Sequence, residues 1–411
     1  MKDVQRQLLR CMNAYRFGKH AQIELDTSDP AVWKSLYNQA AVHKMEGIVF
    51  ETLRHDPTFC GGDQPLEAKW KRTTLLQATM QAAKTQGLLR VANALKEADI
   101  PYVVVKGVVC RGLYRQPELR PSGDEDILIH ARDEQRCGQL LERLGLRQTA
   151  PGSETEPVAH WLDNQTGFHM ELHTRLLPPG HREEQLNDCF LEQLQHTVPF
   201  QTEGGTVQTL SPTWHMLFLI YHAMKHFIYG GFGIRTLCDV ITYYEQYRDQ
   251  IDQELICAWL DKLGGRVFFD QVLVIARDYL EFDLEASGWA LSCPADAEEM
   301  LEDILEAGVY GQSTMSRRHS NNMVVHAAQE GKESGGLLQT LFPSRKKLTK
   351  RYPILEQAPV LLPAVWLHRL GGYGLEVMKS GGKENSPAES VSLGKKRIEM
   401  MIKYGIISKD N

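Results

Sequence analysis

No two of the eight cysteines stand at CxxC spacing. They lie at positions 11, 60, 110, 137, 189, 238, 257 and 293, mostly in apolar or helical-looking surroundings. Such scatter reads as reduced thiols in a cytosolic protein, not as a disulfide framework. The chain also lacks any run of ~18 apolar residues, so no transmembrane helix is expected. Its N-terminus, MKDVQRQLLRCMNAYRF, has no apolar run and no small-residue cleavage site, so it does not read as a signal peptide. Internal repeats are absent. So is an excess of positive charge: 46 Lys and Arg face 52 Asp and Glu, for a net charge of −6. Without a global positive field, stable nucleic-acid binding is not expected, although a local basic groove stays open.

What remains is an ordinary globular composition. Hydrophobic residues make up 42 % and charged residues 24 % of 411, enough for a sizeable core without metal or disulfide staples. Residues 1–98 read as helical. Trp33, Leu36, Ala40, Ala41 and Met45 recur at helical spacing. A longer pattern over 66–98 carries Leu75, Leu76, Met80, Ala83, Leu88, Leu89, Ala92 and Leu95 as its apolar stripe.

The pattern changes at Ile100-Pro101-Tyr102-Val103-Val104-Val105, a β-branched run too short for a helix. Lys106-Gly107 follows, then a predicted helix over 108–114 and a turn-rich segment, 116–123. Further strands are expected at Asp126–Ile129, His160–Asp163 and Phe168–His173, with a helix from His130 to about Leu144. This alternation over 99–205 predicts a small unit of mixed strands and helices. Ser211-Pro212 then opens a helical region, 206–335, with breaks at Gly230-Gly231 and Gly264-Gly265. Residues 336–411 form a helical extension containing flexible stretches.

Asp124 and Asp126 stand two apart at the head of a strand. Period-two alternation puts both carboxylates on one face, within reach of one or two hard cations, and turns Glu125 the other way. Solvated turn acids are the plainer alternative. Gly107 lies between a strand and a helix. There it lets backbone approach a phosphate at a helix N-terminus, with Lys106 adding a positive charge. In Phe168–His173, the polar residues His169, Glu171 and His173 share one face. Glu171 is therefore the candidate third acid, as metal ligand or general base, with Asp163 as its competitor. An exposed polar strand face is the bland reading.

These residues together resemble the DNA polymerase β-like nucleotidyltransferase superfamily. More narrowly, they are similar to the bacterial family known as uncharacterised nucleotidyltransferase. The resemblance is carried by Lys106, Gly107, Leu113, Tyr114, Arg120, Asp124, Asp126, Ile127, Leu128 and Ile129, then by Glu171, Leu172, His173 and Arg175. It extends loosely to the helix around His215–His226, to Arg235 and Asp239, to 342–344 and to 351–353. The usual Gly-Ser loop of the superfamily is replaced by Lys106-Gly107-Val108.

The resemblance implies an α+β fold, a small mixed-sheet core flanked by N-terminal and C-terminal helical regions. It implies a nucleoside triphosphate donor and one or two Mg²⁺ ions on Asp124, Asp126 and Glu171. Transfer of a nucleoside monophosphate to a hydroxyl of a small molecule, glycan or protein follows. Lys106, Gly107 and Arg120 would bind the nucleotide, although Arg120 can instead pair with Asp124 or Glu118. Two other classes compete: a non-catalytic binding module on the same fold, and a toxin–antitoxin-type enzyme acting on RNA or protein.

His215, His222 and His226 cluster within ~40° on a helix. They read either as satisfied core histidines or as a face closing over the acceptor. His173, His222, His226, Arg235 and Asp239 are the acceptor-side candidates. The basic stretch 344–351 reads as a solvated loop or an anion contact. Lys395–Lys403 reads as a surface helix, and peripheral membrane contact is not expected of it.

Overall fold

The computed structural model describes residues 1–308 except 28, 30, 154–156, 179, 181–182 and 294–296. It further describes 345–366 except 350, 351 and 353, then 368 and 387–406. The sequence features at 330–336, 342–344, 351, 353 and 380–386 lie outside the described residues. The chain divides into two compact units. One comprises Met1–Tyr221, Arg235–Leu263 and Leu273–Ala290; the other comprises His222–Ile234, Gly264–Val272 and Leu291–Asn411.

The first unit is built on a mixed seven-stranded sheet in the order β3-β4-β5-β2-β1-β7-β6. Its strands are β1 (Tyr102–Val105), β2 (Glu125–Ile129), β3 (Arg147–Ala150), β4 (Val158–Asp163), β5 (Phe168–His173), β6 (Val198–Thr202) and β7 (Gly205–Thr209). β2 runs parallel to β5, and β1 parallel to β7; the other pairs are antiparallel. The central strands β1 and β2 are short and buried along their whole length. Val103, Val104, Val105, Ile127, Leu128 and Ile129 have no exposed surface.

The helices α1 (Asp3–Arg16), α2 (Ala31–Val42) and α3 (Glu46–Leu53) precede the long α4 (Gln64–Glu97). Asp63 caps α4 by accepting from the Leu66 N–H at 2.9 Å, with Pro65 in the first turn. α4 lies on the sheet where Gly87 meets Phe168. A Cβ at position 87 would stand 2.7 Å from the Phe168 ring, so only glycine permits this approach. Phe168 is fully buried there. Truncating such a ring to Ala costs about 3–5 kcal/mol.

The N-terminal half of the expected α4 stripe is corrected by the structure. Leu75, Leu76 and Met80 are exposed, while Leu88, Leu89, Ala92 and Leu95 are buried. The inward face of that half carries Trp70, Thr74, Gln81 and Lys84 instead. Polar groups are tolerated there because they bind backbone beneath the site.

Strand β5 has the predicted bounds, whereas β3, β6 and β7 were not anticipated. β3 is a polar, exposed edge strand with no alternation to read. β6 carries Pro199, which suits an edge but weakens a strand signal. The expected helix at 108–114 is only α5 (Gly107–Arg111). After α6 (Glu134–Arg143) and α7 (Glu184–Glu192), α8 (Pro212–Tyr229) stops at the predicted Gly230-Gly231 break. α9 (Ile234–Tyr247) and α10 (Gln253–Leu263) follow, and α10 ends at Gly264.

In the second unit, the helix Pro387–Lys403 is anchored by Arg397, which has no exposed surface. Its guanidinium donates to the Phe227 carbonyl at 2.6 Å and stands 3.6 Å from Asp303. Ile398, Met400 and Met401 are buried with it, so the apolar side of this segment is taken up inside the protein. No helix among the described residues is long and apolar enough to cross a membrane.

Candidate functional site

The registers of three strands assemble the site. Asp126 on β2 pairs with Glu171 on β5, and Glu171 pairs with His160 on β4. Two positions along, and so on the same face, Leu128 pairs with His173. Because side chains alternate, Asp126, Glu171, His173 and His160 all project from one face. Asp124 lies just before β2 and hydrogen-bonds Glu171. The three acids singled out by the sequence are thus neighbours.

His173 belongs to the same cluster. Its Nε2 is 3.0 Å from Asp126 Oδ1 and 3.4 Å from Glu171 Oε2. Expected on the acceptor side, it lies against two of the three acids. Among the described residues, Asp126, Glu171 and His173 each offer one donor atom, all within 4.8 Å of one another. Two oxygens and one imidazole nitrogen at that spacing fit a divalent cation. The other Glu171 oxygen faces His160 Nδ1 at 3.5 Å. The His160 ring stacks on His169, with centroids 5.7 Å apart. His160 was missed in the sequence. Its one available signal is its place in a strand next to the polar face of β5.

Lys106 supplies the compensating charge. Its Nζ is 3.0 Å from Asp126 Oδ2. The backbone at Lys106 has φ 54° and ψ −119°, a region non-glycine residues rarely adopt. Such a residue costs about 1–3 kcal/mol and persists only when its surroundings hold it. His215 does part of the holding. The Lys106 N–H donates to His215 Nε2 at 3.1 Å. That contact leaves the ring proton on Nδ1, which faces Thr209 Oγ1 at 3.2 Å. Thr209 in turn donates to the Val104 carbonyl at 2.6 Å. His215 is fully buried, and burial pulls its pKa down to about 3. It is a neutral brace on the β1–α5 turn. His222 and His226 lie in the second unit and face each other at 3.0 Å between their Nε2 atoms.

The electrostatics divide the acids. Burial pushes the Asp124 pKa up to about 7, with the Asp126 charge adding to it. Burial also works against ionised Asp126, but Lys106 and His173 outweigh it and hold that carboxyl well below its usual range. Glu171 is likewise depressed, its burial outweighed mainly by the His173 hydrogen bond. Burial disfavours the His173 cation, yet hydrogen bonds to Asp126 and Glu171 raise its pKa.

Glu125 turns the other way, as alternation predicts, and is fully buried. Its Oε2 accepts the Val108 N–H at 2.9 Å. Its other oxygen pairs with Arg111 and accepts from the Ser122 hydroxyl at 2.9 Å. A Cβ on Gly107 would fall 2.0 Å from Glu125 Oε2. The reason for glycine at 107 is therefore corrected: the protein's own carboxylate occupies that space and caps the head of α5. From α4, Lys84 Nζ donates to the carbonyls of Ser122 and Gly123 at 2.7 and 2.6 Å. Gln81 accepts the Ser122 N–H at 3.0 Å. These contacts set the loop that ends in Asp124. Polar residues within a helical apolar stripe were their signal in the sequence.

Arg120 is corrected too. It pairs with neither Asp124 nor Glu118. Both its Nε and Nη2 bind the Asp239 carboxylate, and both residues are buried. Tyr114 donates to the same carboxylate at 2.8 Å. Arg235 donates to the Pro121 carbonyl at 2.6 Å. Arg120, Arg235 and Asp239 thus tie α9 to the loop before β2. Asp163, the competing third acid, binds Arg90 on α4 at 2.8 Å.

Residues 29–281 match the sequence model of a family described as uncharacterised nucleotidyltransferase. No curated protein and no solved structure matches the chain.

Proposed function

The chain belongs to the uncharacterised nucleotidyltransferase family, and from that premise we propose that it transfers a nucleoside monophosphate from a nucleoside triphosphate to a hydroxyl acceptor. The observation that carries this reading is the meeting of Asp124, Asp126 and Glu171 beside Lys106. Asp126 and Glu171, with Asp124 once it loses its proton, would hold one or two divalent cations, Mg²⁺ being the expectation for carboxylates. A cation on these donors supplies charge neutralisation at the phosphates. Lys106 leaves Asp126 to meet the triphosphate. Glu171 orients or deprotonates the attacking hydroxyl, which adds to the α-phosphorus as pyrophosphate departs. His215 keeps the Lys106 turn in place.

One observation favours a non-catalytic binding module on the same fold. The Val108 N–H at the head of α5 is taken by Glu125 and is not free for phosphate. A small-molecule, glycan or protein acceptor remains the leading class, with RNA as the alternative.

The test is calorimetric titration with ATP, GTP, CTP and UTP, with and without Mg²⁺ or Mn²⁺. Asp124→Ala/Asp126→Ala serves as the reference. Cation-dependent binding of one nucleotide, lost in the double variant, is expected. A folded wild type that binds none of the four, with either cation, would move the protein to the binding-module class.

A further inference from the structure

We propose that His173 Nε2 is a direct metal ligand beside Asp126 and Glu171, so that the site selects a first-row transition cation over Mg²⁺. This rests on the reading of Asp126 and Glu171 as metal ligands given above. Three carboxylates alone would make an all-oxygen seat, which suits Mg²⁺. The geometry offers something different. The three atoms that approach one another within 4.8 Å are two carboxylate oxygens and an imidazole nitrogen. Asp124 is not among them.

The position of His173 is fixed by the fold. It lies two residues beyond Glu171 on β5, on the same face, paired with Leu128 on β2. The ring is buried, with 7 % of the residue exposed, and its Nε2 points at both acids. With no cation bound, Nε2 carries a proton, because it faces two carboxylate acceptors. Nδ1 is buried and has no hydrogen-bond partner among the described residues. The contrast is His215, whose two nitrogens both have partners. An imidazole whose Nδ1 is unclaimed can keep its one proton there, release the Nε2 proton, and present the Nε2 lone pair to a cation that arrives between Asp126 and Glu171. Imidazole binds Mg²⁺ poorly, and affinity of a mixed nitrogen–oxygen site rises from Mn²⁺ to Co²⁺.

The experiment uses the full chain. Mn²⁺, Co²⁺ and Mg²⁺ are titrated without nucleotide, and Mn²⁺-loaded protein is examined by electron spin-echo modulation. Wild type is expected to bind Mn²⁺ about tenfold more tightly than Mg²⁺, and Co²⁺ more tightly still. It is expected to show ¹⁴N modulation from a coordinated imidazole. That signal should vanish in His173→Asn and His173→Gln, and persist in His160→Asn. The proposal is overturned if wild type binds no cation, if bound Mn²⁺ shows no nitrogen, or if the signal survives in a folded His173 variant. A nitrogen-ligated cation with no nucleotide binding would instead sink the nucleotidyltransferase reading and leave this ligand assignment standing.

Discussion

The Lys106 ammonium and the Asp126 carboxylate stand 3.0 Å apart at the end of the β1–β2 strand pair. Val105 is the register partner of Asp126, so the pair closes the end of the β1–β2 ladder. Lys106 therefore sits on an oxygen of a candidate metal ligand.

Removing that tethered charge should help a cation and hurt a nucleotide. Lys106→Gly keeps the positive φ accessible and removes the ammonium. Cation affinity measured without nucleotide is expected to rise about tenfold, roughly 1.4 kcal/mol. Triphosphate affinity is expected to fall by at least a similar factor. Unchanged cation affinity in the folded variant would show that Lys106 does not compete for Asp126.

His215 should make the protein sensitive to acid. Its pKa lies near 3 when folded, against 6.5 for an ordinary histidine. Between those values the unfolded chain takes up a proton that the folded one refuses. Its contribution is complete above pH 6.5 and is lost as pH falls toward 3. His215→Gln should flatten that part of the stability profile in denaturant titrations. It should also cost about 1–3 kcal/mol at pH 7.5, because Lys106 loses its backbone acceptor. A parallel profile in the variant would rule out the brace.

Asp124 has the opposite sign. Its folded pKa near 7 lies above the ordinary 3.8, so the folded chain holds a proton the unfolded chain has released. That contribution is present below pH 3.8 and disappears as pH rises through 7. Asp124→Asn, which mimics the protonated form, should gain stability relative to wild type between pH 6 and 8 in cation-free buffer. Saturating cation should close or reverse the gap. A pH-independent difference in melting temperature would contradict the shift.

The Arg120–Asp239 pair should behave as structure. Asp239→Asn or Arg120→Met alone leaves a buried charge without its counterpart, for an expected loss of about 3–5 kcal/mol. The two changes together should cost less than their sum. A double-mutant cycle in urea measures the coupling, and additive losses would argue against a buried pair.

The carboxylate site was legible because strands speak in period two. Asp124, Asp126 and Glu171 stood out as acids attached to apolar strands, and β5 kept its predicted bounds. His173 carried the same signal, but its role depends on the parallel register of β2 and β5, which no local pattern states. The partner of Arg120 lay 119 residues away on α9, beyond any spacing argument. β6 and β7 hid behind polar residues and Pro199, although Glu203-Gly204-Gly205 is a hairpin turn signal. Leu75, Leu76 and Met80 show the reverse failure: periodicity marks a face, and burial of that face is decided elsewhere.

The contact between Gly107 and Glu125 also binds the two positions in inheritance. Glutamate at 125 forbids any side chain at 107, since even one carbon would overlap its carboxylate. A relative with a bulkier residue at 107 must shorten residue 125 and find another cap for the Val108 amide and another counter-ion for Arg111. The two positions should therefore change together across the family, and a lone substitution at either marks a lineage whose β1–α5 turn has been rebuilt.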